Sequence, residues 1–259
     1  MTSYSPADIL NPKLDLAPYR EEFERYGRVR IPGILKPEFA EDVYAAFQRA
    51  PWGALFRSDE KTVSVSREGL AAYTPQDLMK LRKLIFAEAA KGFQFSYLSL
   101  SLKDAKGAAW DNKQVLPALS AFLNSDEFLE NSRVVSGFGN IRSITAQATC
   151  YTHESFLSAH DDVADHKKNR LVAYVLGFAK DWKIDWGGLL QFHDPQGGRV
   201  IDGFLPAFNG LTLFRVPQWH SVSFVTPFAQ GPRFSVTGWY YGEEPEKNED
   251  AANASGEAA

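Results

Sequence analysis

A single cysteine among 259 residues leaves no internal disulfide to staple the chain. No apolar run approaches the roughly 20 residues that a membrane-spanning helix requires. The opening "MTSYSPADIL" carries neither the basic nor the apolar region of a signal peptide. A basic surplus is missing too. The 28 Lys and Arg against 32 Asp and Glu give a net charge of −4, which lacks the electrostatic footprint of a protein that tracks a nucleic-acid backbone. Together these absences predict no direct nucleic-acid partner, no membrane partner, and a reducing cytoplasmic setting.

Aromatic residues, by contrast, are abundant at 14%, with many Phe and Trp in the second half, as large core residues of a β-rich domain are. The N-terminal third reads as mixed, with helices prominent. "LAPYREEFERYG" has Pro18 in a first turn and Gly27 at the stop. "RVRIPGIL" alternates like a short strand, and "KPEFAEDVYAAFQRA" returns to helical spacing. In "TPQDLMKLRKLIFAEAAKG", Thr74 is the expected N-cap, Asp77 the capping-box partner and Gly92 the closing residue. "LPALSAFLNSDEFLENSR" predicts two shorter helices, the second capped by Ser125.

From about residue 139 strands and turns take over. In "SITAQATCY", Ser143, Thr145, Gln147, Thr149 and Tyr151 share one face, and Ile144, Ala146, Ala148 and Cys150 the other. "RLVAYVLGF" is apolar on both faces, as a central buried strand is. "GGLLQFHDPQGGRVI" predicts a hairpin with a Gly-Gly turn, and "GLTLFRV", "HSVSFV" and "RFSVTGWYYG" further short strands. In the last of these Arg233, Ser235, Thr237 and Trp239 share a face. Two strands with polar faces that point inward imply a barrel with a wet interior and an apolar exterior under helices. The expected organisation is one domain over 1–242, mainly β with flanking α-helices, in which helices over 1–135 brace a β core over 136–242. A disordered acidic tail over 243–259 follows.

The stretch "FLSAHDDVADH" packs two histidines and three aspartates into a few positions after a strand. His160 and Asp162 are two apart, so on an extended segment they project to one side. His220, in "PQWHSVSFV", is the natural third ligand of a 2-His-1-carboxylate face, the arrangement of non-haem iron(II) oxygenases. Arg233 on the inward face supplies a guanidinium that could grip a carboxylate of 2-oxoglutarate in bidentate fashion, and Ser235 can add a hydrogen bond. An isolated H-x-D carries little weight, because any loop can contain it. The argument rests on four features in order: H-x-D after a strand, His before a strand, then R and S on an inward face. Asp161, Asp165 and His166 read as solvated loop residues, and His153 and His193 as surface residues of turns.

These segments resemble the 2-oxoglutarate- and iron(II)-dependent oxygenases of prolyl-hydroxylase type, nearest to the subgroup that hydroxylates a proline of a small-subunit ribosomal protein. The resemblance is carried by "FLSAHDDVADHKKNRLVAYVLGF", "WKIDWGGLLQFHD", "LPAFNGLTLFRVPQWHSVSFV" and "PRFSVTGWYYG", and is strong over 139–242. It implies a double-stranded β-helix core (jelly-roll or cupin-like). It also implies iron(II), with 2-oxoglutarate and dioxygen as cosubstrates and ascorbate as reductant. The metal ligands would be His160, Asp162 (rather than Asp161) and His220. Tyr151, nine positions before the first histidine, would bind 2-oxoglutarate with Arg233 and Ser235. Arg170, ahead of "LVAYVL", would face the substrate, and Trp239, with Trp219 as a further candidate, would exclude water or line the substrate path. The loop after Asp162 is about two residues longer than in the subgroup, whose eukaryotic members also carry a second barrel that this sequence has no room for.

The implied reaction is hydroxylation of a prolyl residue in a protein or peptide, with a ribosomal protein as one candidate, coupled to conversion of 2-oxoglutarate to succinate. Three alternatives stay open. The same chemistry could serve a free amino acid or other small molecule, the barrel could be a silent binding module, or zinc on the same histidines could make a hydrolase. Zinc hydrolysis would have no need of an inward Arg233. Residues 55–70 could form a mobile flap over the site, which the sequence alone does not decide.

Overall fold

The structure is a computed structural model and describes residues 4–163, 169–196 and 198–242. Asp165, His166 and the tail over 243–259 lie outside the described residues. The first part of the chain runs α1 (Pro6–Ile9), α2 (Ala17–Tyr26), β1 (Arg28–Pro32), α3 (Pro37–Arg49), β2 (Gly53–Ser58), β3 (Lys61–Val65), α4 (Arg67–Ala71), α5 (Pro75–Ala89), β4 (Phe95–Leu100), α6 (Val115–Leu123) and α7 (Asp126–Ser136). The second part is β5 (Ser143–Ile144), β6 (Gln147–Tyr151), β7 (Phe156–His160), β8 (Arg170–Phe178), β9 (Leu190–His193), β10 (Val200–Phe204), β11 (Phe208–Arg215), β12 (His220–Val222) and β13 (Arg233–Tyr241).

Local signals set most of the helix ends. Gly27 closes α2 in the left-handed conformation. Thr74 and Asp77 exchange the two bonds of a capping box at the start of α5, and the Ser125 hydroxyl accepts from the Phe128 amide in front of α7. The stop of α5 departs from expectation. The helix ends at Ala89 with Ala90 as cap, so Gly92 lies in the connection beyond it.

Among the described residues, thirteen strands join one sheet, paired antiparallel in the order β1-β11-β8-β13-β6-β4-β7-β12-β9-β10, with β2 and β3 branching from β4 and β5 from β13. The curl is made at β4, which pairs with both β6 and β7 and so carries one half of the sheet round to face the other. The result is a half-barrel, the architecture of a jelly roll, with helices over its outer side. The expected helical N-terminal segment thus also contributes four strands, β1 to β4, to the sheet. Residues 55–70 are chiefly the β2–β3 hairpin, held in the sheet by β4, with its turn residues Asp59 and Glu60 both at positive φ.

Alternation decides which face is which. Ala148 and Cys150 of β6 and Phe234 and Val236 of β13 point outward into the main core, where α3 presents Phe39, Ala40, Val43, Ala46 and Phe47 at helical spacing. Phe234 stacks on Trp52 at 5.4 Å and meets Phe47 and Tyr44 at 5.5 and 5.7 Å. Replacing Phe234 with alanine is therefore expected to cost about 3–5 kcal/mol, read as a lower urea midpoint at unchanged slope. Close approach also fixes Gly238 in β13, because a Cβ there would lie 1.9 Å from the Thr145 carbonyl oxygen. The inward faces of the same strands, with Thr145, Gln147, Thr149, Tyr151, Arg233, Thr237 and Trp239, line a cleft of about 740 Å³. That is the wet interior the alternation predicts.

Candidate metal centre and cosubstrate pocket

Strand β7 ends at His160, and β12 begins at His220, which lies directly opposite His160 in the antiparallel register. The pairing alone brings the two imidazoles together, with ring centroids 4.2 Å apart. Asp162 arrives differently from the way its spacing suggests. The chain leaves the strand after His160, and Asp162 takes φ 62°, a left-handed turn that aspartate tolerates better than most residues. The turn, not strand alternation, swings its carboxylate back to the imidazoles. Its Oδ1 lies 3.4 Å from His160 Nε2 and its Oδ2 3.6 Å from His220 Nε2. Asp161 is turned to a different use, since its Oδ1 accepts from the Val163 amide at 3.0 Å and shapes the turn.

Both imidazoles are oriented by backbone carbonyls. Nδ1 of His160 donates to Ser158 O at 2.9 Å, and Nδ1 of His220 donates to Gln218 O at 2.8 Å. A carbonyl can only accept, so each neutral ring carries its proton on Nδ1 and turns the Nε2 lone pair inward. Burial, helped by the neighbouring His160, lowers the His220 pKa to about 4, so this ring is neutral at ordinary pH. Burial works to raise the Asp162 carboxyl, but its interactions with His160, His220 and the Trp239 indole outweigh it and hold the carboxyl below its usual range. Two lone pairs and a carboxylate therefore face one another with no proton between them, an arrangement that a cation resolves. Two ligands about 2.1 Å from one ion and at right angles lie about 3 Å apart. The observed separations approach that value, and all three ligand atoms lie within 4.8 Å of one another. The residues fit a divalent metal.

At the other end of the cleft Arg233 is 4% exposed and forms no ion pair with any described residue. Its Nε is buried without a partner, and its guanidinium lies 4.8 Å from the Tyr151 ring centroid. A buried, unpaired guanidinium is costly unless an anion joins it, so this end of the cleft fits a carboxylate. Tyr151 lines the cleft, and burial raises its pKa, which keeps the hydroxyl a neutral donor. Ser235 is buried, exchanges a 2.8 Å hydroxyl bond with Thr149, and does not border this cleft.

Arg170 and Trp239 meet at the cleft wall. The guanidinium lies 3.8 Å over the indole, and Arg170 Nη1 donates to the Asp162 carbonyl at 3.1 Å. Arg170 Nε is a buried donor without a hydrogen-bond partner among the described residues, while the Trp239 indole N–H is turned toward Asp162 and helps keep its carboxylate ionised. Trp219 is 39% exposed and lies outside the cleft lining. His153 is exposed, as expected, whereas His193 is half-buried and bonded through Nε2 to Ser221 Oγ at 2.8 Å, a correction to its expected surface place.

Two residues of the site had no signal in the sequence. Tyr97 of β4 stacks on Tyr151 at 4.9 Å and lines the cleft, and burial followed by the Asp162 charge pushes its pKa up to about 12. Gln94 is almost fully buried, and its side chain bonds the Arg57 backbone, the Phe95 amide and Glu88, while its backbone bonds the Ser158 hydroxyl. Gln94 thus ties β2 and α5, through its side chain, to the strand that ends in His160, through its backbone.

Residues 146–241 match the family model described as the 2OG-Fe(II) oxygenase superfamily, a span that contains Tyr151, His160, Asp162, Arg170, His220, Arg233, Ser235 and Trp239 and leaves out Gln94 and Tyr97. Over 114 residues the chain is 30% identical to prolyl 3-hydroxylase OGFOD1 of Mus musculus, covering 42% of this chain and 20% of that protein. Over 163 residues it is 27% identical to prolyl 3,4-dihydroxylase OGFOD1 of Ostreococcus tauri, covering 60% of this chain and 31% of the relative. Each match therefore spans less than a third of the curated relative. Among solved structures, an oxidoreductase of the 2OG-Fe(II) oxygenase family from Burkholderia pseudomallei superposes with a TM-score of 0.54 at 14% identity, covering 90% of this chain and 93% of that one. At that identity the likeness shows the fold, and the half-barrel is the jelly-roll core found in these oxygenases.

Proposed function

We propose that this chain is a 2-oxoglutarate- and iron(II)-dependent hydroxylase of a prolyl residue in a protein or peptide. One observation carries the reading. Three inward lone-pair donors, on His160, Asp162 and His220, share a cleft with a buried Arg233 that has no ion-pair partner among the described residues. A zinc hydrolase would need the first half of that description and not the second.

In this reading His160, Asp162 and His220 hold iron(II), and Arg233 holds the distal carboxylate of 2-oxoglutarate. When bound, the iron and its cosubstrates supply the oxidising power that converts an unactivated C–H bond to an alcohol, with 2-oxoglutarate leaving as succinate and carbon dioxide. The chain supplies placement. The carbonyls of Ser158 and Gln218 lock the tautomers of the two ligand rings. Tyr151 and Tyr97, neutral and stacked, wall the cosubstrate against water and present hydroxyl donors. The cleft is about 740 Å³ and is bordered by Leu55 and Thr62 of the β2–β3 hairpin and by Val163 of the turn, room enough for a residue within a longer chain. Arg170 and Trp239, stacked at the cleft wall, border the space that such a chain would occupy.

The relatives act on proline, as their names state, and the motif resemblance makes a small-subunit ribosomal protein the first substrate to try. The buried, unpaired Cys150 suits the reducing cytoplasm as the setting. No described helix is long and apolar enough to cross a membrane. The test is to incubate the iron-loaded protein with 2-oxoglutarate, ascorbate, air and proline-containing candidates. Succinate release and a gain of one oxygen on a peptidyl proline are expected. Oxygen gain on free amino acids alone would move the substrate to the small-molecule class, and no substrate-dependent succinate with any candidate would favour a binding module.

A further inference from the structure

Arg233 stands between two spaces. It borders the open cleft, and with Ser235 it also borders a cavity of about 10 Å³, barely the room one water needs. Across that cavity stands Arg30. Ser235, expected from the sequence to contact the cosubstrate, faces this small space and not the open cleft. A carboxylate held by Arg233 in the open cleft therefore has the space lined by Arg30 and Ser235 directly behind that guanidinium.

Arg30 is placed there by register. It lies opposite Thr212 in the β1–β11 pair, its Nε donates to Thr212 Oγ1 at 3.1 Å, and its Nη1 donates to the Leu205 carbonyl at 2.5 Å. Its guanidinium carbon lies 4.6 Å from the Phe204 ring centroid. The side-chain stem passes Gly210, where an added Cβ would lie in ordinary contact, 3.8 Å from Arg30 Cδ and 3.6 Å from Ala207 Cβ. Every acceptor that Arg30 uses is uncharged. Burial, with the like charge of Arg233 acting in the same sense, lowers its pKa to about 10. Two guanidiniums thus share the lining of one small cavity, and no described carboxylate pairs with either. An anion beside such a pair offsets the desolvation and like-charge cost that the two guanidiniums bear.

We infer that Arg30 is a second guanidinium for the distal carboxylate of 2-oxoglutarate, and that the Arg30–Arg233 pair makes the site select a 2-oxo diacid over a 2-oxo monoacid. The inference rests on the proposed cosubstrate and adds the residue that sets its selectivity. It is tested by binding, not turnover. The manganese(II)-loaded protein is titrated by calorimetry with 2-oxoglutarate and with 2-oxovalerate, which has the same carbon chain and no distal carboxylate. Arg30→Gln is expected to weaken 2-oxoglutarate by about tenfold or more, the range for losing one charge-assisted bond, and to leave 2-oxovalerate within about twofold. Arg30→Lys keeps the charge and is expected to fall between wild type and Arg30→Gln. Equal changes for both acids, or none, would reduce Arg30 to a packing residue and overturn the inference. If Arg30→Gln does not fold, the lysine variant decides: selectivity equal to wild type refutes the second guanidinium. A wild-type protein that binds neither acid would instead bring down the proposed function itself.

Discussion

Asp162→Ala is expected to abolish tight binding of iron(II) or manganese(II), while Asp161→Ala leaves metal affinity within about tenfold of wild type. The two aspartates are neighbours in sequence, and the turn separates their roles. Asp162 brings its two oxygens to 3.4 and 3.6 Å from the two Nε2 atoms, whereas Asp161 accepts from the Val163 amide. Without Asp162 two neutral imidazoles remain, one of them on the buried His220. They would have to hold a dication with no protein anion to offset its charge in a poorly solvated site. Changes to groups that merely support metal ligands cost about 10- to 100-fold in affinity, so loss of the ligand itself should exceed that range. Loss of the Asp161 acceptor removes one hydrogen bond, worth about 1 kcal/mol. Metal content after dialysis and calorimetric titration of both variants make the comparison, and a metal-free Asp161→Ala beside a metal-bound Asp162→Ala would transfer the ligand role to Asp161.

That pair of aspartates also shows what a sequence can and cannot say about such a site. The spacing of His160 and Asp162 is informative, but the extended geometry it suggests is not the one adopted, because β7 stops one residue earlier than that geometry needs. Both ends of the cleft are readable because strand alternation is local: every second residue of β6 and β13 faces inward, so Tyr151, Arg233 and Trp239 can be placed on the wet face without knowing what lies opposite. Tyr97 and Arg30 are unreadable for the complementary reason. "FSYLSL" and "RVRIPGIL" are ordinary strands, and their site role comes from the partners that β4 and β1 pair with, which are set by long-range register. Ser235 lies between these cases: its face follows from alternation, but which of two cavities it borders depends on the depth of the barrel.

Arg233→Met is expected to do two opposite things: weaken 2-oxoglutarate binding by about 100-fold or more, and leave the metal-free protein at least as stable as wild type. The first follows from removing the partner of a desolvated charge, which typically costs about 2–5 kcal/mol. The second follows from the uncharged company Arg233 keeps. Among the described residues it makes no ion pair, its Nε is unsatisfied, and burial lowers its pKa, each a sign that the folded protein bears a desolvation cost. Methionine fills similar length without that cost, and replacing poorly paired buried ions with apolar residues is often neutral or stabilising. Metal affinity should not move, because Arg233 is not among the grouped ligands His160, Asp162 and His220. Thermal unfolding of the metal-free proteins and titration of 2-oxoglutarate into the manganese-loaded ones measure both halves. A destabilised Arg233→Met that still bound the cosubstrate normally would mean that this guanidinium supports the barrel and that the carboxylate docks elsewhere.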